Sequence, residues 1–373
     1  MAEKGLNRNT YLSKNVGNFP DEFEMFGRKY VKVNDLRYGT NPHQPAAYFK
    51  PAETPCVIGD MRVLKDGKSG LSQTNLEDIS YALNIVKFFD RPACAVMKHV
   101  NPSGAAVQFG DESLLDIYKK ARDADARAAF GSVIAFNTAV DVATAEEIMS
   151  TFCECVVAPA YDEGVLQVFC DGEKYKLNKH IRILQCGDPA SLPKFVGDGN
   201  EENNTIKVLA DGSLVVAAPL LTAVRSIDDL KPAEAENSRC GKQVSSFAAT
   251  REQLDDLLFA WYVNISVRSN GVVIVKNGQT LAVGTGEQDR VGAIEQAVAK
   301  FGQKYTGEAD LQDAVMASDG FFPFADGVEV AAAAGIKAII APAGSLRDAD
   351  VIKRANELGV ALYHAPERIF SHH

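Results

Sequence analysis

Val133-Ile134-Ala135-Phe136 reads as a buried strand, residues 143–152 carry helical spacing, and Val156-Val157-Ala158-Pro159 reads as a second strand. A strand, a helix and a strand in succession indicate α/β architecture. The order returns near the C-terminus. There Val315-Met316-Ala317-Ser318 is a strand, the Ala-rich stretch 327–334 a helix, and Ile339-Ile340-Ala341-Pro342-Ala343 a strand that mirrors 156–160. Val133 and Val156 are 23 positions apart, Val315 and Ile339 are 24. This spacing reads as a duplicated strand–helix–strand unit. The shared apolar composition of any two buried strands is the competing reading.

Working outward, residues 72–90 place Leu76, Ile79, Leu83, Val86 and Phe89 at helical spacing, and Ala93-Cys94-Ala95-Val96-Met97 follows as a strand. Asn101-Pro102 is expected to break that strand, so that Lys98 and His99 both reach one site at a bent end. Residues 113–127 look helical. Residues 196–205 are polar and turn-rich, and Asp211-Gly212 sits between two apolar runs as a hairpin signal. Residues 226–245 are charged and read as irregular. Thr250-Arg251-Glu252-Gln253 has the form of a capping box opening a helix to about Ile265. Asn277-Gly278 signals a second hairpin. The division expected is a first unit over residues 1–180, a connector over 181–245 and a second unit over 246–373.

The chain has 373 residues, 46% of them hydrophobic, enough for a large core in more than one domain. A net charge of −10 without a basic run argues against nucleic acid or an anionic membrane as partner. Seven scattered cysteines with no C-x-x-C read as reduced thiols. There is no apolar signal segment and no run long enough for a membrane span, so a cytoplasmic location is expected.

Five stretches carry candidate chemistry. Lys98-His99 places an ammonium beside an imidazole, a combination that favours the neutral ring a general base requires and can stabilise an oxyanion. A capped strand end with a solvated lysine is the bland alternative. Arg37-Tyr38 with Asn41-Pro42-His43 offers a guanidinium in a polar turn, suited to phosphate, or a plain surface loop. Gly284-Thr285-Gly286 with Arg290 joins a strand to a helix and allows close approach of a ligand, although the third glycine of a dinucleotide fingerprint is missing. Phe321-Phe322-Pro323-Phe324 between Asp319 and Asp326 fits the wall of a flat heterocycle or a loop covering the core. Arg368 is a second candidate phosphate ligand. Cys153 and Cys155 read as core, and His372-His373 as a tail end.

Taken together and in this order, RYGTNPHQ, KHVNPSGAA, AAFGSVIAFN, VVAPAYDE, SNGVVIVKNGQ, GTGEQDRV, ASDGFFPFADGV and IIAPAGS resemble the transformylase portion of the bifunctional 5-aminoimidazole-4-carboxamide ribonucleotide (AICAR) formyltransferase/IMP cyclohydrolase family, from about residue 33 onward. The resemblance implies two cytidine-deaminase-like α/β/α units and active sites at a homodimer interface. It implies formyl transfer from 10-formyltetrahydrofolate to the 5-amino group of AICAR, with His99 as base, Lys98 stabilising the oxyanion and Asn270 orienting the reactants. AICAR contacts carry over to Arg37, Tyr38, His99, Gly131, Glu154, Asn270, Arg290, Phe321 and Arg368. Folate contacts carry over to Val291, Pro323, Asp326, Ser345 and Leu346. A structural potassium ion is implied near the second half. The deaminase zinc motif P-C-x-x-C is missing, so catalysis without zinc is expected. The family's cyclohydrolase domain has no counterpart in these strings, and a separate IMP cyclohydrolase is expected. Ala325 stands where arginine is common, Gly320 where alanine is, and Ser103 where cysteine often is. A regulator that binds AICAR without turning it over, a remodelled cyclohydrolase and a zinc deaminase are the alternative readings.

Overall fold

The computed structural model describes residues 14–67, 69–199 and 203–372. The chain forms two compact units. The first comprises residues up to 122 together with 126–191; the second comprises residues 123–125 and 192 onward.

The first unit begins with a small antiparallel sheet, β1 (Glu22–Met25), β2 (Arg28–Asp35) and β3 (Ala47–Pro51). Then follow β4 (Arg62–Lys65), α1 (Gln73–Val86), β5 (Ala93–Lys98), β6 (Asn101–Val107), α2 (Leu114–Asp123), α3 (Ala126–Ala129), β7 (Ser132–Phe136), α4 (Val142–Ser150), β8 (Cys153–Ala158), α5 (Val165–Cys170) and β9 (Arg182–Gln185). Its main sheet runs β6-β5-β7-β8-β9-β4. The β5–β6, β5–β7 and β9–β4 pairs are antiparallel, and β7–β8 and β8–β9 are parallel.

In the second unit come the hairpin of β10 (Thr205–Val208) and β11 (Leu214–Ala217), β12 (Lys231–Pro232), and a second hairpin of β13 (Glu234–Asn237) and β14 (Gly241–Val244). These are followed by α6 (Arg251–Asn264), β15 (Val272–Lys276), β16 (Gln279–Gly284), α7 (Arg290–Lys304), β17 (Val315–Ser318), α8 (Asp326–Ala333), β18 (Ala338–Pro342), α9 (Asp348–Leu358) and β19 (Ala361–Ala365). Its sheet runs β16-β15-β17-β18-β19-β12. The order of pairing repeats that of the first unit: a hairpin, an antiparallel neighbour, then two parallel strands. The architecture is α/β.

Sequence patterns explain the central elements. Ser72 caps α1 by accepting from the Asn75 N–H, while Asn75 Oδ1 accepts from the Ser72 N–H. The helix buries Ile79, Ala82, Leu83, Ile85 and Val86. Each large aliphatic side chain so buried contributes about 1.5–3 kcal/mol. Thr250 and Gln253 form the reciprocal capping box expected at α6. The parallel strands β7, β8, β17 and β18 are almost wholly buried, as strands covered on both faces are.

Three expectations need correction. Asn101-Pro102 does not end a strand: β5 turns at His99-Val100, and Asn101 and Pro102 open β6. Pro102 pairs with Met97 beside a register shift, where a strand tolerates a missing N–H. Residues 226–245 are not irregular throughout, because Asn237 Oδ1 accepts the Arg239 and Cys240 N–H groups and closes the β13–β14 hairpin. Residues 182–185, inside the expected connector, form β9 parallel to β8.

Candidate active site

The sequence-derived site residues fall into two groups, one in each unit. In the first, β5 and β6 present Lys98 and His99 on a two-residue turn. His99 and Val100 both have positive φ, 54° and 61°, the type I′ geometry that suits right-twisted hairpins. The imidazole is exposed. The Lys98 ammonium is half-buried and donates to the Gly131 carbonyl at 2.6 Å. Two of its three protons remain for another acceptor. Gly131 has φ +76°, and a Cβ there would lie 2.9 Å from Lys98 Nζ, so the close approach requires glycine. Asp78, buried on α1, accepts the Val100 N–H at 2.6 Å, and the His99 backbone N–H also donates to it. Burial pushes the Asp78 carboxyl up to about 6 against the opposing pull of those N–H donors and of Lys98. Glu154 on β8 accepts from Asn75 Nδ2 at 2.8 Å.

Arg37 follows β2. Its guanidinium is 7% exposed and stacks on the Tyr38 ring, 4.6 Å to the centroid. Its Nε has no hydrogen-bond partner. Burial and the charge of Arg182 both lower its pKa. A buried cation beside a second cation with an unmet donor is a strong seat for an anion.

The second group surrounds Asp319, which is fully buried. Asp319 accepts from Ser269 Oγ, from the Gly271 N–H at 2.8 Å and from Arg290. Arg290 is the first residue of α7, behind the N-cap Asp289. It also donates to Asn270 Oδ1 at 2.7 Å, while Asn270 Nδ2 donates to the Glu287 carbonyl at 3.0 Å. Asn270 is thereby fixed from both ends of its amide. Phe370 lies under two guanidiniums, Arg368 at 4.3 Å and Arg290 at 5.8 Å from its ring centroid. A Cβ at Gly320 would fall 2.6 Å from both Arg290 and Phe370, so glycine lets these groups close in.

Around the carboxyl ends of the parallel strands β17 and β18, Phe321, Pro323, Phe324 and Leu346 are exposed, Leu346 at 94%. Crevices outside such strand ends are where open α/β sheets take ligands. Phe322 instead packs in the core. Asp326 begins α8 and its carboxylate accepts the Gly327 N–H. The Ser345 N–H donates to Asp348. Val291 lies in the first turn of α7.

Sequence reading passed over Asp78, Asn75, Arg182, Asp319 as a positioning group, and Phe370. Asp78 left a signal, a carboxylate on the apolar face of α1 one turn before Ala82. Arg182 left none, because its significance lies in a pairing across the fold. All seven cysteines are free, and burial pushes the Cys155 thiol up to about 12. Among the described residues no three His, Cys, Asp or Glu side chains gather to hold a metal, and no helix is long and apolar enough to cross a membrane.

Residues 6–300 match the family described as AICARFT/IMPCHase bienzyme. The chain belongs to that family. It is similar to the bifunctional purine biosynthesis protein PurH of Oceanobacillus iheyensis, 36% identical over 365 residues, covering 98% of this chain and 64% of that protein. PurH of Trichormus variabilis is 39% identical over 346 residues, covering 92% of this chain and 60% of the relative. PurH of Magnetococcus marinus is 39% identical over 365 residues, covering 95% and 62%. The chain thus spans somewhat under two thirds of the length of these members of the AICARFT/IMPCHase family.

Proposed function

We propose that this chain transfers the formyl group of 10-formyltetrahydrofolate to the 5-amino group of AICAR. Family membership supports the reaction class, and the Lys98-His99 turn is the observation that carries the chemistry. The amine is a poor nucleophile because its lone pair delocalises into the imidazole carboxamide. An exposed imidazole suits removal of its proton, and His99 takes that role. The formyl oxygen gains charge as the tetrahedral carbon forms. Lys98, held by Gly131 with protons to spare, is assigned to it. Asn270, with its amide anchored at both ends, orients the amine and the formyl group.

Arg37 and Arg368 are assigned to the phosphate of AICAR, and the unmet Nε of buried Arg37 favours that role. Tyr38, Gly131, Glu154, Arg290 and Phe321 complete the AICAR contacts. The exposed apolar groups at the ends of β17 and β18 favour a reduced folate, with Val291, Pro323, Asp326, Ser345 and Leu346 as its contacts. The reading includes a deaminase-like fold for each of the two compact units, and a homodimer. It also includes a monovalent ion in the second unit and catalysis without zinc. Ring closure to IMP is assigned to a site outside these residues.

The test is to incubate the protein with AICAR and 10-formyltetrahydrofolate and follow product mass and tetrahydrofolate release. A product heavier than AICAR by one formyl group, in step with tetrahydrofolate, is expected. AICAR binding without tetrahydrofolate release would favour a regulatory binder and overturn the reading.

A further inference from the structure

Asp78 is the sixth residue of α1, and Asp256 is the sixth residue of α6. Each carboxylate sits under the hairpin that follows its helix. Asp256 accepts the N–H groups of Asn277 and Gly278 at 2.7 and 2.8 Å. Asp78 accepts the N–H of Val100 at 2.6 Å and that of His99. All four turn residues have positive φ. Asn277 and Gly278 adopt that conformation cheaply, whereas His99 and the β-branched Val100 do not. A non-glycine residue held there costs of order 1–3 kcal/mol and persists only where its surroundings fix it.

We propose that Asp78 is a positioning residue: its carboxylate, by gripping the two turn amides, holds the His99-Val100 turn in its unfavourable conformation and so aims the His99 imidazole and the Lys98 ammonium. The claim rests on the formyl-transfer reading for what those groups do, and on the hydrogen bonds alone for what Asp78 does. Raised to about 6 by burial, the carboxyl is ionised, and a full acceptor for both amides, above that pH. The charged and titratable groups facing it are Lys98 on β5 and Glu154 and Cys155 on β8. The turn amides favour the ionised form most, and the Lys98 charge adds to them.

Asp78→Asn replaces an acceptor oxygen by a donor. The expected result is a kcat lower by about 10- to 100-fold, the scale of a small misplacement of a reacting group. KM for AICAR should stay within about twofold, since the AICAR contacts outside the turn, Arg37 and Arg368 among them, keep their places. Asp256→Asn, the same change under the other hairpin, should leave kcat unchanged. Adding Val100→Gly to Asp78→Asn should return part of the lost kcat, because glycine takes positive φ unaided. A wild-type kcat in Asp78→Asn overturns the proposal. So does a loss that Val100→Gly fails to relieve, or an equal loss in Asp256→Asn. Should the wild-type protein itself not release tetrahydrofolate, the formyl-transfer reading fails. Amide hydrogen exchange at His99 and Val100 then decides the role of Asp78: faster exchange in Asp78→Asn supports it, and unchanged exchange overturns it.

Discussion

The β5–β6 and β15–β16 hairpins are built alike and equipped differently. Each follows a helix whose sixth residue is an aspartate that accepts the turn amides, and each first strand ends in a lysine. In the second unit the turn is Asn277-Gly278, residues suited to positive φ, and Lys276 is paired with Asp310 at 2.6 Å. In the first unit the turn is His99-Val100, and Lys98 donates to the Gly131 carbonyl at 2.6 Å. One hairpin spends its turn on local stability. The other carries an imidazole and an ammonium at positions that cost conformational energy. That asymmetry is the expected mark of a site selected for chemistry.

The sharpest way to break the comparison is to write one turn into the other. His99→Asn with Val100→Gly should lower turnover by at least about 100-fold, the scale of a lost general base. The same double variant should gain about 1 kcal/mol in urea unfolding from relief of strain. An unchanged turnover would mean that the two turns are functionally equivalent.

The next largest effect is a pH dependence confined to the first hairpin. The folded state raises the Asp78 carboxyl from 3.8 to about 6, so it binds that proton more tightly than the unfolded chain does. The contribution of this group to stability is therefore greatest below pH 3.8 and is lost as pH rises to about 6. Asp78→Asn removes that dependence. Between about pH 4 and pH 7 the stability difference should move in favour of the variant by up to about 3 kcal/mol. Parallel urea titrations at the two ends check this, and a pH-independent difference would contradict it.

The reciprocal transplant is smaller. Asn277→His with Gly278→Val should cost about 1–2 kcal/mol and confer nothing on turnover. A stability loss near zero would show that the aspartate beneath each turn absorbs the strain fully.

Much of this was legible in the sequence, for identifiable reasons. Capping boxes, the Asn277-Gly278 hairpin and the buried strands at 133–136 and 315–318 are local patterns with local causes. The turn beside Lys98 has another shape than the one its residues suggest. Asn101-Pro102 carries a strong turn signal, yet the register shift in β5–β6 accommodates the proline, and two residues with poor turn propensity bend instead. Nothing in a His-Val pair announces positive φ. The cause is Asp78, twenty-one positions upstream of His99 and on another element. The isolation of the Arg37 guanidinium is equally non-local, since it is set by burial and by Arg182 from β9.

The most direct test sets Lys98→Ala beside Lys276→Ala in a steady-state assay with AICAR and 10-formyltetrahydrofolate. Lys98→Ala should lose at least about 100-fold in kcat, as removal of an oxyanion donor does, and Lys276→Ala should stay within about twofold of wild type. Equal turnover in the two variants would contradict the assignment of chemistry to the first hairpin.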